Sequence, residues 1–407
     1  MRDGDGGKAM RTMDRHRQWQ GPALFSFGFR PFFLFGALQA AVMVALWVPW
    51  FLGLIEVPSA LPPVAWHIHE LLFGYVPAVI TGFLLTAIPN WTGQLPAVGW
   101  PLVGLFGLWL IGRVAIALSL MLPQPAVVLL ALAFPAGLLA IMGREVIHGK
   151  NWRNLKVIVA LTVLLIAQAL FHYEVWRYGA SAYGHRLAIA AAVSLIMIIG
   201  GRIVPSFTTN WLKRCNPGAL PPPFGRFDRV AMVIGVAAFA GWVVPPPVAA
   251  GRLAVAALLL AAGLMHGVRL VRWQGWRTLA EPLVTVLHVA YGFVPLGFLI
   301  AAAALALDDP LLATAAIHAW TVGAIGLMTL AVMTRASRSH TGQPLTAPPG
   351  TVILYAAAFI AAIARIVAAL WPAIMAPALA LAAIAWAAAF LLFALLYGPM
   401  LCRRRRG

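Results

Sequence analysis

Three histidines and a glutamate lie near the ends of long apolar stretches in this chain. His67, His69 and Glu70 begin one stretch, and His318 begins another. Ionisable side chains are costly inside a bilayer, so those that occur there usually face a bundle interior or a water-filled cavity and have a function. Neutral imidazole is a common ligand of haem iron and of copper, because it offers a nitrogen lone pair without burying a charge. The pattern therefore predicts chemistry, or a bound metal, within a membrane.

The spacing of His67 and His69 predicts different roles for them. On an ideal helix the two side chains point about 200° apart, so both can bind one metal only if the first turn is irregular. Either face could suit haem, and Glu70 could orient an imidazole, ligate a second metal or move protons. The alternative is that these histidines are interfacial residues bonded to backbone carbonyls. We take Glu70 as the candidate catalytic residue and list the candidate metal ligands as His67, His69, His318 and His340.

A second group of candidates lies toward the predicted inner side. His288, His266 and the loop residue His340 could form a second site, deeper in the membrane than the first. His288 could be a core residue that is hydrogen-bonded to its neighbours, a second haem ligand or a proton relay. Arg202 and Arg335 could hold haem propionates, although arginines at this boundary also act as topology determinants. Four residues around an outer loop read as solvated polar groups: His172, Tyr173, Glu174 and His185.

The elements that position these residues are membrane helices. Of the 407 residues, 62% are hydrophobic and 10% are charged, and the mean hydropathy is +0.89. Soluble domains carry about 25% charged residues, and a span needs about 20 apolar residues. Twelve spans are predicted, at 31–54, 64–88, 100–121, 125–143, 156–173, 186–205, 229–246, 250–270, 282–305, 312–334, 350–371 and 376–398. Arg113 falls within the third span and should have a buried partner.

The net charge of +18 follows from topology and does not indicate a nucleic-acid partner. With both termini in the cytoplasm, most of the 29 lysines and arginines fall on the cytoplasmic side, as the positive-inside rule requires. We expect an all-α polytopic membrane protein of about twelve transmembrane helices, with a cytoplasmic segment 1–29, a single membrane domain 30–400 and a basic tail 401–407. Cys215 and Cys402 both lie on the reducing side, so no disulfide is expected.

Several motifs spread along the chain resemble those of the NnrS family. They are Phe27-Gly-Phe-Arg-Pro-Phe-Phe33, Trp66-His-Ile-His-Glu70, Gly82-Phe-Leu-Leu-Thr-Ala-Ile-Pro-Asn-Trp-Thr-Gly93, Gly201-Arg-Ile-Val-Pro-Ser-Phe-Thr-Thr-Asn210 and Met328-Thr-Leu-Ala-Val-Met-Thr-Arg335 with His340-Thr-Gly342. The resemblance implies a twelve-helix protein of the bacterial inner membrane, with b-type haem, copper and a role in the nitric oxide response. It does not assign ligands to the metals. Only histidines could supply the copper site, because Met-rich and Cys-containing motifs are missing from the sequence.

These observations favour a haem protein whose outer pocket binds nitric oxide, or another diatomic ligand, and reduces it. Reduction needs an electron donor, which would be quinol or a cytochrome. Two other classes stay open. One is a proton-coupled transporter or channel, in which His67, Glu70, Arg113 and His318 line the pathway. The other is a haem-based sensor without turnover.

Overall fold

The computed structural model describes residues 19–92, 98–150 and 152–404, and for residues 88–92 and 153 it describes the backbone alone. Most of the described residues are helical, and none of them forms a β-strand. The predicted all-α polytopic membrane fold is therefore confirmed. Residues 1–18 of the predicted cytoplasmic segment, Gly93 of the third motif and residues 405–407 of the basic tail lie outside the described residues.

Among the described residues, twelve long helices lie at the positions of the predicted spans. Helices α1 to α6 are Phe29–Phe51, 63–92, Trp100–Ala117, Gln124–His148, Leu155–Tyr178 and Gly184–Cys215. Helices α7 to α12 are Arg226–Val243, Ala249–Arg272, Pro282–Leu307, Pro310–Thr341, Pro349–Leu370 and Met375–Cys402.

Eleven of these helices, within the described part of the chain, are long and apolar enough to cross a membrane. The remaining one, α7, is 18 residues long and begins with the charged residues Arg226, Asp228 and Arg229. It packs against α8 and α6, at the position of the predicted seventh span. The chain is thus a multi-pass membrane protein, while the side on which its termini lie stays a prediction.

Local sequence explains where the helices that carry the candidate site begin. Proline occupies the first turn of α2, α9, α10 and α11, where its missing N–H costs nothing and its fixed φ suits a helix. The side chains of Glu281 and Asp309 accept hydrogen bonds from the free backbone N–H groups at the starts of α9 and α10. These caps determine how far His288 and His318 lie inside their helices.

Three helices contain a wider π-helical segment. The segments are His69–Tyr75 in α2, Ile196–Gly200 in α6 and Ala319–Gly326 in α10. π-Helical turns are rare, and they frequently occur at functional sites. Two of them directly follow the candidate ligands, since His67 lies two residues before the segment in α2 and His318 lies immediately before the segment in α10.

The first and last helices pack together and close the bundle. Arg30, at the start of α1, donates from Nη1 to the carbonyl oxygens of Leu401 and Arg403, at 3.1 and 2.6 Å. Midway along the same interface, the Trp386 indole donates to the Ala40 carbonyl at 2.9 Å. The α1–α12 contact places the N-terminal half of α12 beside α2, and α2 and α12 both border a large cavity.

Candidate functional site

A cavity of about 430 Å³ lies between α1, α2, α6, α10, α11 and α12. Its wall is mostly apolar and aromatic, with a few polar groups among them, which is the usual composition of a cofactor or ligand pocket. The histidines and the charged residue on the wall are His67, His185, His318 and Arg365. The structure therefore brings together two of the predicted ligands, His67 and His318, from helices far apart in the sequence.

His67 lies on the cavity wall in the last α-helical turn before the π segment of α2. Its imidazole stacks on the indole of Trp47, with ring centroids 3.8 Å apart and an interplanar angle of 18°. Its Nδ1 is buried and has no hydrogen-bond partner among the described residues. Stacking on Trp47 therefore holds the plane of the His67 ring, although the Nδ1 atom forms no hydrogen bond with the described residues.

His318 reaches the same cavity from α10. Its Nδ1 lies 2.7 Å from the backbone carbonyl oxygen of Thr314, one turn earlier. Because a carbonyl oxygen can only accept, Nδ1 must donate, and the lone pair of the ring then resides on Nε2. Metal-bound histidines usually have this arrangement, in which the second nitrogen donates to a carbonyl or carboxylate and fixes the ring.

Arg365 supplies the positive charge of the cavity wall. It lies in α11 and forms no ion pair with another residue in the described part of the chain. An uncompensated guanidinium within a membrane protein is unfavourable unless an anion approaches it. The wall of the cavity thus combines two imidazoles with a cation suited to an acidic group.

His69 and Glu70 do not line this cavity, and His67 and His69 thus point in different directions, as their spacing in the sequence indicates. His69 and Glu70 lie on another side of α2, where three side chains donate to the Glu70 carboxylate. Arg113 donates to Oε1 at 2.6 Å, the His69 Nδ1 lies 3.1 Å from Oε1, and Gln39 donates to Oε2 at 2.9 Å. Glu70 is therefore held in a buried polar cluster and has no direct access to the cavity.

Three of the residues that the sequence indicated as solvated are part of the interior, namely His172, His185 and Glu174. His172 is 6% exposed, and its ring centroid lies 4.9 Å from that of His69. His185 lies on the cavity wall. The error came from ending the fifth span at residue 173, whereas α5 continues to Tyr178 and sets His172 more than one turn inside it. Glu174 is also buried, and it accepts hydrogen bonds from Ser181 and from the backbone that leads into α6.

The inner candidates do not form one site. His288 bonds to the Thr208 hydroxyl at 2.8 Å, whereas the two ring nitrogens of His266 contact the Tyr291 hydroxyl and the Ala231 carbonyl. His340 is helical rather than in a loop, and it packs against Phe27 and Phe29. It lies 22 residues along α10 from His318, which is about 33 Å at 1.5 Å per residue. His340 therefore cannot share a metal with the outer histidines.

The two candidate arginines differ in exposure. Arg202 is exposed, whereas Arg335 is half-buried and packs its guanidinium over the Phe207 ring at 4.0 Å. Neither lines the outer cavity. Among the described residues, no set of three or more His, Cys, Asp and Glu side chains is arranged to hold a metal ion. Of the four candidate metal ligands, His67 and His318 line the same cavity, while His69 and His340 lie elsewhere.

The fold and cavity define a polytopic α-helical membrane protein with an intramembrane pocket lined by histidines. A family model described as NnrS protein matches residues 23–405, nearly the whole chain. The chain belongs to the NnrS family. None of the curated proteins matches the chain.

Proposed function

We propose that this protein holds a b-type haem in the cavity and that it binds nitric oxide there and reduces it, as a multi-pass protein of the bacterial inner membrane. One observation carries the proposal: His67, His318 and the unpaired Arg365 line the same cavity. Membership of the NnrS family supports a place in the nitric oxide response.

The residues of the cavity fit a haem. His67 and His318 would hold the iron, because the imidazole of each lies on the wall and the Nδ1 bond of His318 leaves a lone pair on Nε2. Arg365 would hold a haem propionate. The propionate would be the anionic partner that Arg365 lacks among the described residues. The apolar wall, with Val44, Leu71 and Trp386 among its members, suits a macrocycle. The cavity volume of about 430 Å³ falls within the range of about 300–1,000 Å³ usual for ligand and cofactor pockets.

The bound haem would supply ligand binding and one-electron chemistry. The protein's contribution is to orient both imidazoles, to neutralise the propionate and to keep bulk water away from the reacting ligand. Reduction consumes electrons and protons, so a quinol or a cytochrome would have to serve as the donor. Glu70 would not deliver these protons, because its carboxylate is bound by Arg113, His69 and Gln39 away from the cavity.

A smaller apolar cavity offers a route for an uncharged diatomic ligand. Its volume is about 90 Å³, it lies between α2, α6 and α10, and it shares Val76 and Ile325 with the large cavity. Its wall is formed mainly by isoleucine, valine and leucine side chains. A small gas that dissolves in the bilayer core could reach the histidines through this region without passing a charged group.

The test is the visible spectrum and iron content of the purified full-length protein, compared with His67→Ala, His318→Ala and the exposed control His148→Ala. We expect haem absorbance in the wild type and in the control, and loss of most of the haem in each cavity variant. A wild-type protein without haem absorbance, or cavity variants with full haem content, would contradict the proposal. Anaerobic addition of nitric oxide with a reduced donor then separates a reductase from a sensor, since a sensor shows a spectral shift without continuing consumption.

A further inference from the structure

We propose that the groove between the C-terminal parts of α6 and α10 binds an anionic phospholipid, with the phosphate on Arg335 and an acyl chain along the groove. The guanidinium carbon of Arg335 lies over the ring of Phe207, 4.0 Å from the ring centroid. Arg335 is half-buried and forms no ion pair in the described part of the chain. This site is separate from the histidine-lined cavity, because neither residue lies on the wall of that cavity.

The surroundings of Arg335 leave an excess of positive charge. Arg214, near the end of α6, lies close enough to repel Arg335 electrostatically, and Glu281 lies close enough to attract it. The Oε1 atom of Glu281, however, accepts hydrogen bonds from the backbone N–H groups of Leu283 and Ala347, both at 3.1 Å. Two guanidiniums therefore share one carboxylate, and that carboxylate already caps the start of α9. A phosphate diester would supply the missing negative charge and accept two N–H groups of a guanidinium at once.

The ends of α6 and α10 lie at the depth of the lipid headgroups. Each helix contains 32 residues, which corresponds to about 48 Å at 1.5 Å per residue. The hydrocarbon core is about 30 Å thick, so helices of this length extend into the headgroup region. Arg335 and Arg214 lie in the last two turns of their helices. The positive-inside rule assigns this end to the cytoplasm, and basic pockets between membrane helices on that side bind anionic headgroups.

An apolar groove continues from Arg335 toward the middle of the membrane. The smaller cavity, of about 90 Å³, has Ile203 of α6 and Val332 of α10 on its wall. Ile203 precedes Phe207 by one helical turn, and Val332 precedes Arg335 by nearly one turn, so the wall leads directly to the cation. Ile203, Val332 and Phe83 are half-buried, and the cavity therefore lies at the edge of the bundle, where an acyl chain can lie over it. A cation on an aromatic ring next to an apolar groove matches the headgroup and the chain of a phospholipid.

The experiment measures lipid binding by native mass spectrometry of the purified full-length protein in a non-ionic detergent. Phosphatidylglycerol and phosphatidylcholine with the same acyl chains are added to the wild type, to Arg335→Gln and to the control Arg144→Gln. Arg144 is exposed and lies near the end of α4, on the same predicted side of the membrane. We expect the wild type and the control to prefer one phosphatidylglycerol over phosphatidylcholine, and Arg335→Gln to bind phosphatidylglycerol about tenfold more weakly. Equal phosphatidylglycerol binding by Arg335→Gln and the wild type would overturn the proposal.

Two further measurements use the wild type alone and so do not depend on the folding of a variant. Inorganic phosphate at the concentration of the lipid should not displace phosphatidylglycerol, because it has no chain for the groove. Displacement would show a site for free phosphate and not for a lipid. Phosphatidylglycerol with a photoreactive group in its acyl chain should crosslink to the residues of α2, α6 or α10 that border the groove. Crosslinking confined to other helices would refute the site.

Discussion

The Nη1 atom of Arg113 lies 2.6 Å from the Oε1 atom of Glu70, and this ion pair joins the C-terminal part of α3 to the π segment of α2. The side chains are only 12% and 4% exposed. Two charges removed from water stabilise the fold only if each keeps its partner. Glu70 also holds the Nδ1 proton of His69, so the pair links the packing of α3 to the orientation of a candidate metal ligand.

Breaking this pair on one side should destabilise the protein more than removing it entirely. Glu70→Gln leaves the Arg113 guanidinium uncompensated, and we expect it to lower the free energy of unfolding by about 3–5 kcal/mol. The double variant with Arg113→Met should recover much of that loss. The free energy of unfolding in detergent is measured for the wild type, the two single variants and the double variant. This double-mutant cycle gives the coupling energy between Glu70 and Arg113. Additive effects would show that the two side chains do not depend on each other.

Gly74 allows Arg113 to approach α2. A Cβ atom there would lie 2.3 Å from Nε2 of Gln39 and 2.6 Å from Nη1 of Arg113. We expect Gly74→Ala to cost about 1–3 kcal/mol, as overpacking usually does. The matched control is Gly104→Ala in α3, where the new Cβ meets nothing within 4 Å and a gain of up to about 1 kcal/mol follows from helix propensity. Equal unfolding free energies for the two variants would contradict this account.

The buried ion pair between Arg269 and Asp228 should contribute far more to the free energy of unfolding than an exposed ion pair does. Arg269 donates to Asp228 at 2.8 Å and also to the Met197 carbonyl and the Tyr291 hydroxyl. Asp228→Asn should cost about 3–5 kcal/mol, because the buried guanidinium then keeps no anionic partner. In the control, Glu145→Gln removes an exposed pair with Arg144 and should change stability by less than about 1 kcal/mol. The comparison uses chemical unfolding, and similar losses in both variants would count against it.

Arg365 should affect haem retention more than folding. Arg365→Met removes the proposed propionate partner and also removes an uncompensated charge. We therefore expect a lower haem content but a protein that elutes as the wild type does. Arg365→Lys should retain more haem than Arg365→Met, because a cation is still present. The measurement is the amount of haem per polypeptide after equal washing. Full haem content in Arg365→Met would show that Arg365 does not hold the haem.

The two cysteines test the topology directly. Cys215 ends α6 and Cys402 ends α12, and both are exposed. If α7 crosses the membrane, six spans separate them and both lie on one side, which the positive-inside rule predicts to be cytoplasmic. A membrane-impermeant maleimide should therefore label both single-cysteine proteins, Cys215→Ser and Cys402→Ser, in inverted vesicles only. Labelling of the two proteins from opposite sides would show that α7 does not cross.

The positions of the helices were predictable because bilayer thickness and hydropathy determine them locally. The different directions of His67 and His69 also follow from helical geometry, and burial of Arg113 within an apolar stretch predicted the partner that Glu70 provides. The ends of the helices were less predictable. The segment that follows His172 contains charged and aromatic residues, so hydropathy did not reveal that α5 continues through it.

Segment length, apolar content and residue spacing are properties of single segments, so the amino-acid sequence alone predicts a polytopic helical membrane protein with histidines near helix ends. The packing of the helices is needed to show that His67 and His318 share a cavity with Arg365, and that His69 lies instead beside Glu70 and His172. The reason is that membrane helices pack through small residues and shape complementarity, which give little sequence signal of which faces meet. The π segments in α2, α6 and α10 also change which side chains face a neighbouring helix. Their positions were not predictable, because a uniformly apolar sequence does not reveal a change of helical pitch.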